Sequence, residues 1–412
     1  MATIYWLGTA DAVAQITTVQ ITAFDAATTY SLSVGGTVIA SVAGNTDAAT
    51  TATDLATAWN NSTHPWATGI TASASTDTVT LTADTAGVPF TVTSAVSGGT
   101  GTIGSPTTTT ASAGPNDWST AANWSGGAVP VAADDVIIAD STVNICWGLD
   151  QSSVTLASVT IEATYTGKIG LDRTAFATSA DGDTQNTSKA EYREDYLKIG
   201  ADAIDIGVHT GPGTPAGSQR LKISNTKAGA STTQVHRTAS AASESGQPPV
   251  RLLAANSAAD IIVRGGIVGI AVDEPGETAT VGDLSISAGS LYVGDGCTLS
   301  TLTLDGGTCL LRAAATVATV NANSGTLTTD GDYGITTLTV NGATVYANNT
   351  PATGSAITTA NLTSGTLDTT QTTTTRTIAT LNLTGGSLVA NPGDLSITTL
   401  NPPTNPYTLT AS

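Results

Sequence analysis

The sequence predicts an all-β protein: a parallel β-solenoid rod preceded by a small N-terminal, mostly-β domain with one short helix. Three observations lead there. Charged residues are 11% and aromatics 4% of the 412-residue chain, too little charge to coat the outer faces of long amphipathic helices. Thr, Val, Ile, Ser and Gly are plentiful, and β-branched residues fit a pleated, half-buried surface. Finally, a short apolar, polar, apolar strand recurs about every 18 to 22 residues through the last third of the chain. A repeat this short, with glycine at its corner, cannot bury its own apolar face and must stack on its neighbours.

The first segment, residues 1–104, alternates small polar with β-branched residues in runs bounded by turns, as at Ala14 to Ala23, Tyr30 to Val42, Thr78 to Ala83 and Pro89 to Val96. Asn45 to Asn61 breaks that alternation with Ala-rich composition, and Leu55, Ala58 and Trp59 fall at helical spacing. This predicts one helix on a small sheet. Residues 105–115, SPTTTTASAGP, have the polar, proline-containing make-up of a linker. A second unit is expected from Asn116, with Trp118 and Trp124 capping the end of the core that begins at the strand Val136 to Ala139.

The regular repeats occupy residues 265–412. Their first strands start at Leu284, Leu302, Val320, Leu338, Ala360, Leu381 and Leu400. Second strands follow as AGSLYV, GGTCLL, SGTLTT, NGATVY, SGTLDT and GGSLVA, with Gly289, Gly307, Gly325, Gly342, Gly365 and Gly386 at the turns. Less regular rungs are legible between 116 and 264 at Val154/Leu156, Val159/Ile161, Leu197/Ile199, Ile204/Ile206, Leu221/Ile223, Ile261/Val263 and Ile267/Val268. Long loops interrupt them at Asp172 to Arg193, Thr210 to Gln219 and Lys227 to Pro249, where functional contacts are expected. The tail, with Pro402, Pro403 and Pro406, is expected to blunt the open end or dock on a neighbouring subunit.

Charge is unevenly spread. Residues 1–167 hold twelve acids and no Lys or Arg, residues 168–264 hold eleven of the thirteen cations, and the rest holds Arg312 and Arg376 against ten acids. A net charge of -19 repels nucleic acid and anionic membranes, so neither is an expected partner. Cys146, Cys297 and Cys309 show no metal or redox spacing and read as small buried hydrophobes. The N-terminus lacks the basic and apolar regions of a signal peptide, and no stretch has the length and apolarity of a membrane span.

Catalytic motifs are missing: there is no HExxH, GxSxG or P-loop, and His64, His209 and His236 stand apart. Carboxylates are the remaining candidates for chemistry, because polysaccharide hydrolysis needs only two acids a few ångströms apart. Asp172, Asp181, Asp183, Glu191, Glu194, Asp195, Asp202 and Asp205 qualify by position, with Tyr192 and Tyr196 as the nearby aromatics. Asp181 to Asn186 has oxygen-ligand character without the closing Glu of an EF-hand, and Gly294-Asp295-Gly296 recurs in no neighbouring rung. No catalytic residue, cofactor or obligatory metal is therefore expected.

The opening YWLGTADAVAQITTVQITAF, the helix DAATTATDLATAWNNS and the strands TGITASASTDTVTLTADTAG resemble small domains encoded in tailed-bacteriophage structural genes. NDWSTAANWSGGAVPVAADDVII is similar to the start of β-solenoids in phage surface proteins and bacterial adhesins. The resemblance implies a non-enzymatic virion structural protein, made in the host cytoplasm and carried on the virion surface. A head decoration (cement) protein, self-associating as a homotrimer and partnered by the major capsid protein or other virion proteins, is the leading expectation. A tail fibre or tailspike recognising a host glycan, with glycosidase activity left open, is the alternative. Tyr5, Trp6, Leu7, Trp59 and Trp66 are the candidate anchoring residues, because aromatic side chains make effective interface anchors.

Overall fold

The structure, a computed structural model, describes residues 2–171, 192–239, 247–272, 276–352, 354, 356–370, 375–391 and 393–402, with the backbone of two short strands at 174–175 and 188–189. Strand accounts for 54% of it and helix for 4%, and the rod is a parallel β-solenoid of about ten turns.

Inter-rung pairing follows the repeat residue by residue. Leu284 pairs with Leu302, Leu302 with Val320, Val320 with Leu338, Leu338 with Ala360, Ala360 with Leu381 and Leu381 with Leu400. The second column runs from Leu291 through Cys309, Leu327, Val345 and Leu367 to Leu388. These side chains fill the interior, where each buried Leu or Val contributes about 1.5–3 kcal/mol, and they are buried throughout the middle turns. Burial weakens at the last turn: Leu388, Leu395 and Ile397 are half-buried and Leu400 is 43% exposed.

The cross-section has a third strand position that the two-strand repeat did not predict. Val317, Ile335, Ile357, Ile378 and Ile397 pair in succession. Each precedes its first-column residue by three, so every regular turn carries three inward-facing stations. Outside the first face, Asn361, Asn382 and Asn401 pass amide hydrogen bonds of 2.7 Å from rung to rung, satisfying side-chain polar groups along the stack.

Corner glycines hold the turns apart from steric conflict. Gly289, Gly307, Gly325, Gly365 and Gly386 have φ between +76° and +89°. A Cβ on Gly325 would also press into the Gly307 carbonyl oxygen one rung below. That oxygen already accepts the Thr326 amide at 2.9 Å. One corner differs: Thr326 pairs with Thr344, so the register counterpart of Gly325 is Ala343, and the positive-φ residue is Gly342, one position earlier, at +119°.

The N-terminal strand belongs to the rod. Strand β1 (Thr3–Tyr5) pairs in parallel with a rod strand, Asp135–Ile138, which pairs with the next, Asp150–Glu162. The small domain is therefore inserted between the first two rod strands, whereas the sequence alone predicts residues 1–104 as one unit. Its two connections run side by side, joined through the Val13 amide and the Ala113 carbonyl at 2.7 Å.

Within the small domain, β2 (Ile16–Ala23), β3 (Thr29–Val34) and β4 (Thr37–Ala43) precede α1 (Ala48–Asn60). Then come β5 (Ile70–Ser75), β6 (Thr78–Ala83), β7 (Thr93–Ser97), β8 (Thr102–Ile103) and β9 (Thr107–Thr110). One antiparallel sheet contains β5, β6, β2, β8 and β9, and the other β4, β3 and β7. The run Tyr30 to Val42 becomes a hairpin because Gly35 and Gly36, both at positive φ, turn the chain. Asp47 caps the helix by accepting the Thr50 amide at 2.7 Å, worth about 1 kcal/mol. Leu55 and Trp59 bury its inner face. The stretch read as a linker, 105–115, instead contributes β9, which pairs with β2.

Candidate functional site at the capped end of the rod

The first rung is closed by its own chain. Residues 123–125 run antiparallel to the outer edge of β1: the Leu7 amide donates to the Asn123 carbonyl at 2.7 Å, and the Ser125 amide to the Tyr5 carbonyl at 2.9 Å. Ser125 Oγ accepts the Tyr5 amide at 2.8 Å. Pairing the edge in this way removes a template for strand addition. Beneath it, Trp124 meets Trp6 and Trp118 edge-on, at centroid separations of 5.0 and 4.6 Å, and its indole N–H donates to the Trp118 carbonyl at 2.7 Å. The two tryptophans assigned a capping role thus do pack at this end.

The five candidate anchors fall into three environments. Tyr5 and Leu7 are 47% and 45% exposed, while Trp6 between them is only 3% exposed, as alternation along a strand requires. Trp59 is 1% exposed and donates its indole N–H to the Ile70 carbonyl at 3.0 Å, so it is a core residue of the small domain. Trp66 is half-buried and packs on Tyr192 at 5.3 Å and His64 at 5.1 Å. Of these five, only Tyr5 and Leu7 present surface at the capped end, and Trp66 belongs to the junction.

That junction is built from the return of the first insertion. Arg193 donates from Nη1 to the Pro89 carbonyl at 2.8 Å while its guanidinium lies over Trp147 at 4.5 Å. A cleft of about 420 Å³ opens there, lined by Phe90, Trp147, Asp150, Tyr192, Arg193 and Glu194 among others. Sequence inspection missed Arg193 and Trp147, since nothing in their spacing links two residues 46 positions apart to Pro89.

Two carboxylates here depart from ordinary behaviour. Burial pushes the Asp117 carboxyl above its usual value, partly offset by the Ser119 amide. Asp150 is held below it by hydrogen bonds from the Ser152 side chain and amide, despite some burial. The candidate acids that are described, beside the insertion or on the following strand, pair with basic side chains. Glu194 pairs with Lys198, Asp195 with Lys222 at 2.6 Å, Asp202 with Lys227 and Asp205 with His236 at 3.1 Å. Asp172, Asp181, Asp183 and Glu191, with the Asp181 to Asn186 run, lie outside the described residues, as do Pro403 and Pro406.

Three of the described cations of this region are internal. Arg220, Lys222 and Arg251 are buried, and Lys222 and Arg251 are register partners. Buried charges persist only when paired or hydrogen-bonded; Lys222 meets Asp195 and the Tyr196 ring, and Arg251 donates to the Pro248 carbonyl. Among the described residues no three His, Cys, Asp or Glu side chains converge on a common point, and no helix is long and apolar enough to cross a membrane. Comparison with known proteins finds no matching family model, no matching curated protein and no matching solved structure.

Proposed function

We propose that this chain is a non-enzymatic virion structural protein, a phage head decoration protein whose capped end seats on the capsid lattice and whose rod projects or packs against symmetry mates. The observation that carries this reading is the insertion of the small domain into the first rung. It gathers the neck, the Arg193 junction and the exposed pair Tyr5 and Leu7 at one end of the molecule. An anchoring unit needs such a rigid joint, because motion between grip and rod would cost ordering entropy on binding. The resemblance of the first 140 residues to phage structural modules points the same way, and an acidic surface keeps many copies soluble before assembly. A homotrimer is the proposed assembly.

Cryo-electron microscopy of particles containing this chain tests the proposal. Density repeated over the capsid lattice is expected, with the capped end inward and Tyr5→Asp or Leu7→Asp reducing occupancy while leaving the fold intact. Density confined to a few tail-associated copies overturns it in favour of receptor binding.

A further inference from the structure

We propose that the corner formed by the turns after Val208, Val235 and Val263 is a binding site for a single oxyanion, a carboxylate or phosphate group. The register places these turns one above another. Ile206 pairs with Val235 and Val235 with Val263. The His236 amide then donates to the Ile206 carbonyl at 2.8 Å and the Arg264 amide to the Val235 carbonyl at 2.7 Å. Gly207 abuts the Arg237 backbone so closely that a Cβ would collide with its carbonyl. His209, His236, Arg237 and Arg264 therefore share one corner on three consecutive rungs, spaced about 4.8 Å apart.

Two nitrogens at this corner point to a missing acceptor. Arg237 Nη1 and His209 Nε2 are both shielded from solvent and have no hydrogen-bond partner. Leaving a buried donor of a charged group unpaired is costly, so an acceptor placed here gains what the folded chain leaves unmade. The carboxylates nearest in register already have partners of their own, one of them at this corner. Asp205 meets His236, and Glu162, the register partner of Val208, accepts from Thr164 Oγ1 at 3.4 Å. Arg264 donates Nε to a neutral acceptor, Gln234 Oε1, at 3.0 Å. Lys198, Lys222, Lys227 and Arg312, by contrast, all have carboxylate partners. A guanidinium fork on a corner shared with an imidazole matches the planar edge of a carboxylate or two phosphate oxygens. This inference does not depend on the virion reading.

The test is calorimetric titration of the full chain with inorganic phosphate and separately with acetate, at constant ionic strength. Saturable binding of one ion per chain is expected for at least one of the two, and which one binds identifies the preferred oxyanion. Arg237→Gln should weaken it about tenfold or more through loss of the charge-assisted pair, Arg237→Lys should weaken it while keeping the charge, and Arg312→Gln should leave it unchanged. Circular dichroism of each variant verifies the fold. No saturable binding of either ion, or equal affinity in a folded Arg237→Gln chain, overturns the proposal.

Discussion

Alanine at Gly325 separates two roles of a corner glycine, because Gly354 in the same rod shares its φ of +87° but has open space where a Cβ would go. Forcing an L-residue into the left-handed region costs roughly 1–2 kcal/mol, which is the whole expected effect of Gly354→Ala. Gly325→Ala carries that cost and also drives a methyl against the Gly307 carbonyl, whose hydrogen bond to Thr326 must then lengthen. Overpacking of this kind adds about 1–3 kcal/mol, for a total of roughly 2–5 kcal/mol. The chain contains its own remedy: Asn341-Gly342-Ala343 occupies the same turn as Asn323-Ser324-Gly325 with the glycine moved back by one. The double change Ser324→Gly with Gly325→Ala should therefore recover most of the loss. Urea unfolding reads all three variants as midpoint shifts at constant slope. Equal destabilisation by Gly325→Ala and Gly354→Ala would refute the steric argument, and no recovery in the double variant would refute the transplanted turn.

Two further outcomes follow from the capped end. Burial raises the Asp117 carboxyl above its usual 3.8, so folding favours the protonated form; that contribution is complete below the unfolded value and is lost as pH rises through the folded one. Asp117→Asn should thus gain on the parent chain between pH 3 and pH 7, and a stability difference independent of pH in urea melts would contradict the sign. Arg193→Ala removes a hydrogen bond to Pro89 and a stack on Trp147, together worth about 1–2 kcal/mol. Exchange of the Val13 amide in the neck should then accelerate about tenfold, and unchanged protection would show that the neck is held without the Arg193 contacts.

What could be read from residues alone was the stacking axis. Leu284 to Leu400 share one phase with a fixed in-out alternation, and that phase became the inter-rung register. The third column was equally present, three residues before each first-column member, but the isolated Val317 and Ile335 show no alternation of their own and were absorbed into the turn. The pairing of β1 with Asp135–Ile138 was not legible, because no local pattern connects a three-residue strand to a partner about 130 residues away. The linker reading failed at Thr107–Thr110 for a related reason: a run of threonines suits an exposed edge strand as well as a loop, and only β2 decides between them. Of the candidate anchors, alternation on a strand separated Tyr5 and Leu7 from Trp6, whereas the fate of Trp59 was set by its helical face.

The splicing of the small domain into the first rung also orders events during synthesis. Thr3–Tyr5 leaves the ribosome before the inserted domain yet must wait about 130 residues for its partner, on the order of ten seconds at ordinary elongation rates. By then the inserted domain has all its strands and can fold as a unit, bringing the two ends of the neck together. The first strand and its partner are thus delivered to one place before the rod begins. From there each emerging turn finds a finished template directly beneath it, so growth proceeds from a nucleus that the inserted domain has already assembled.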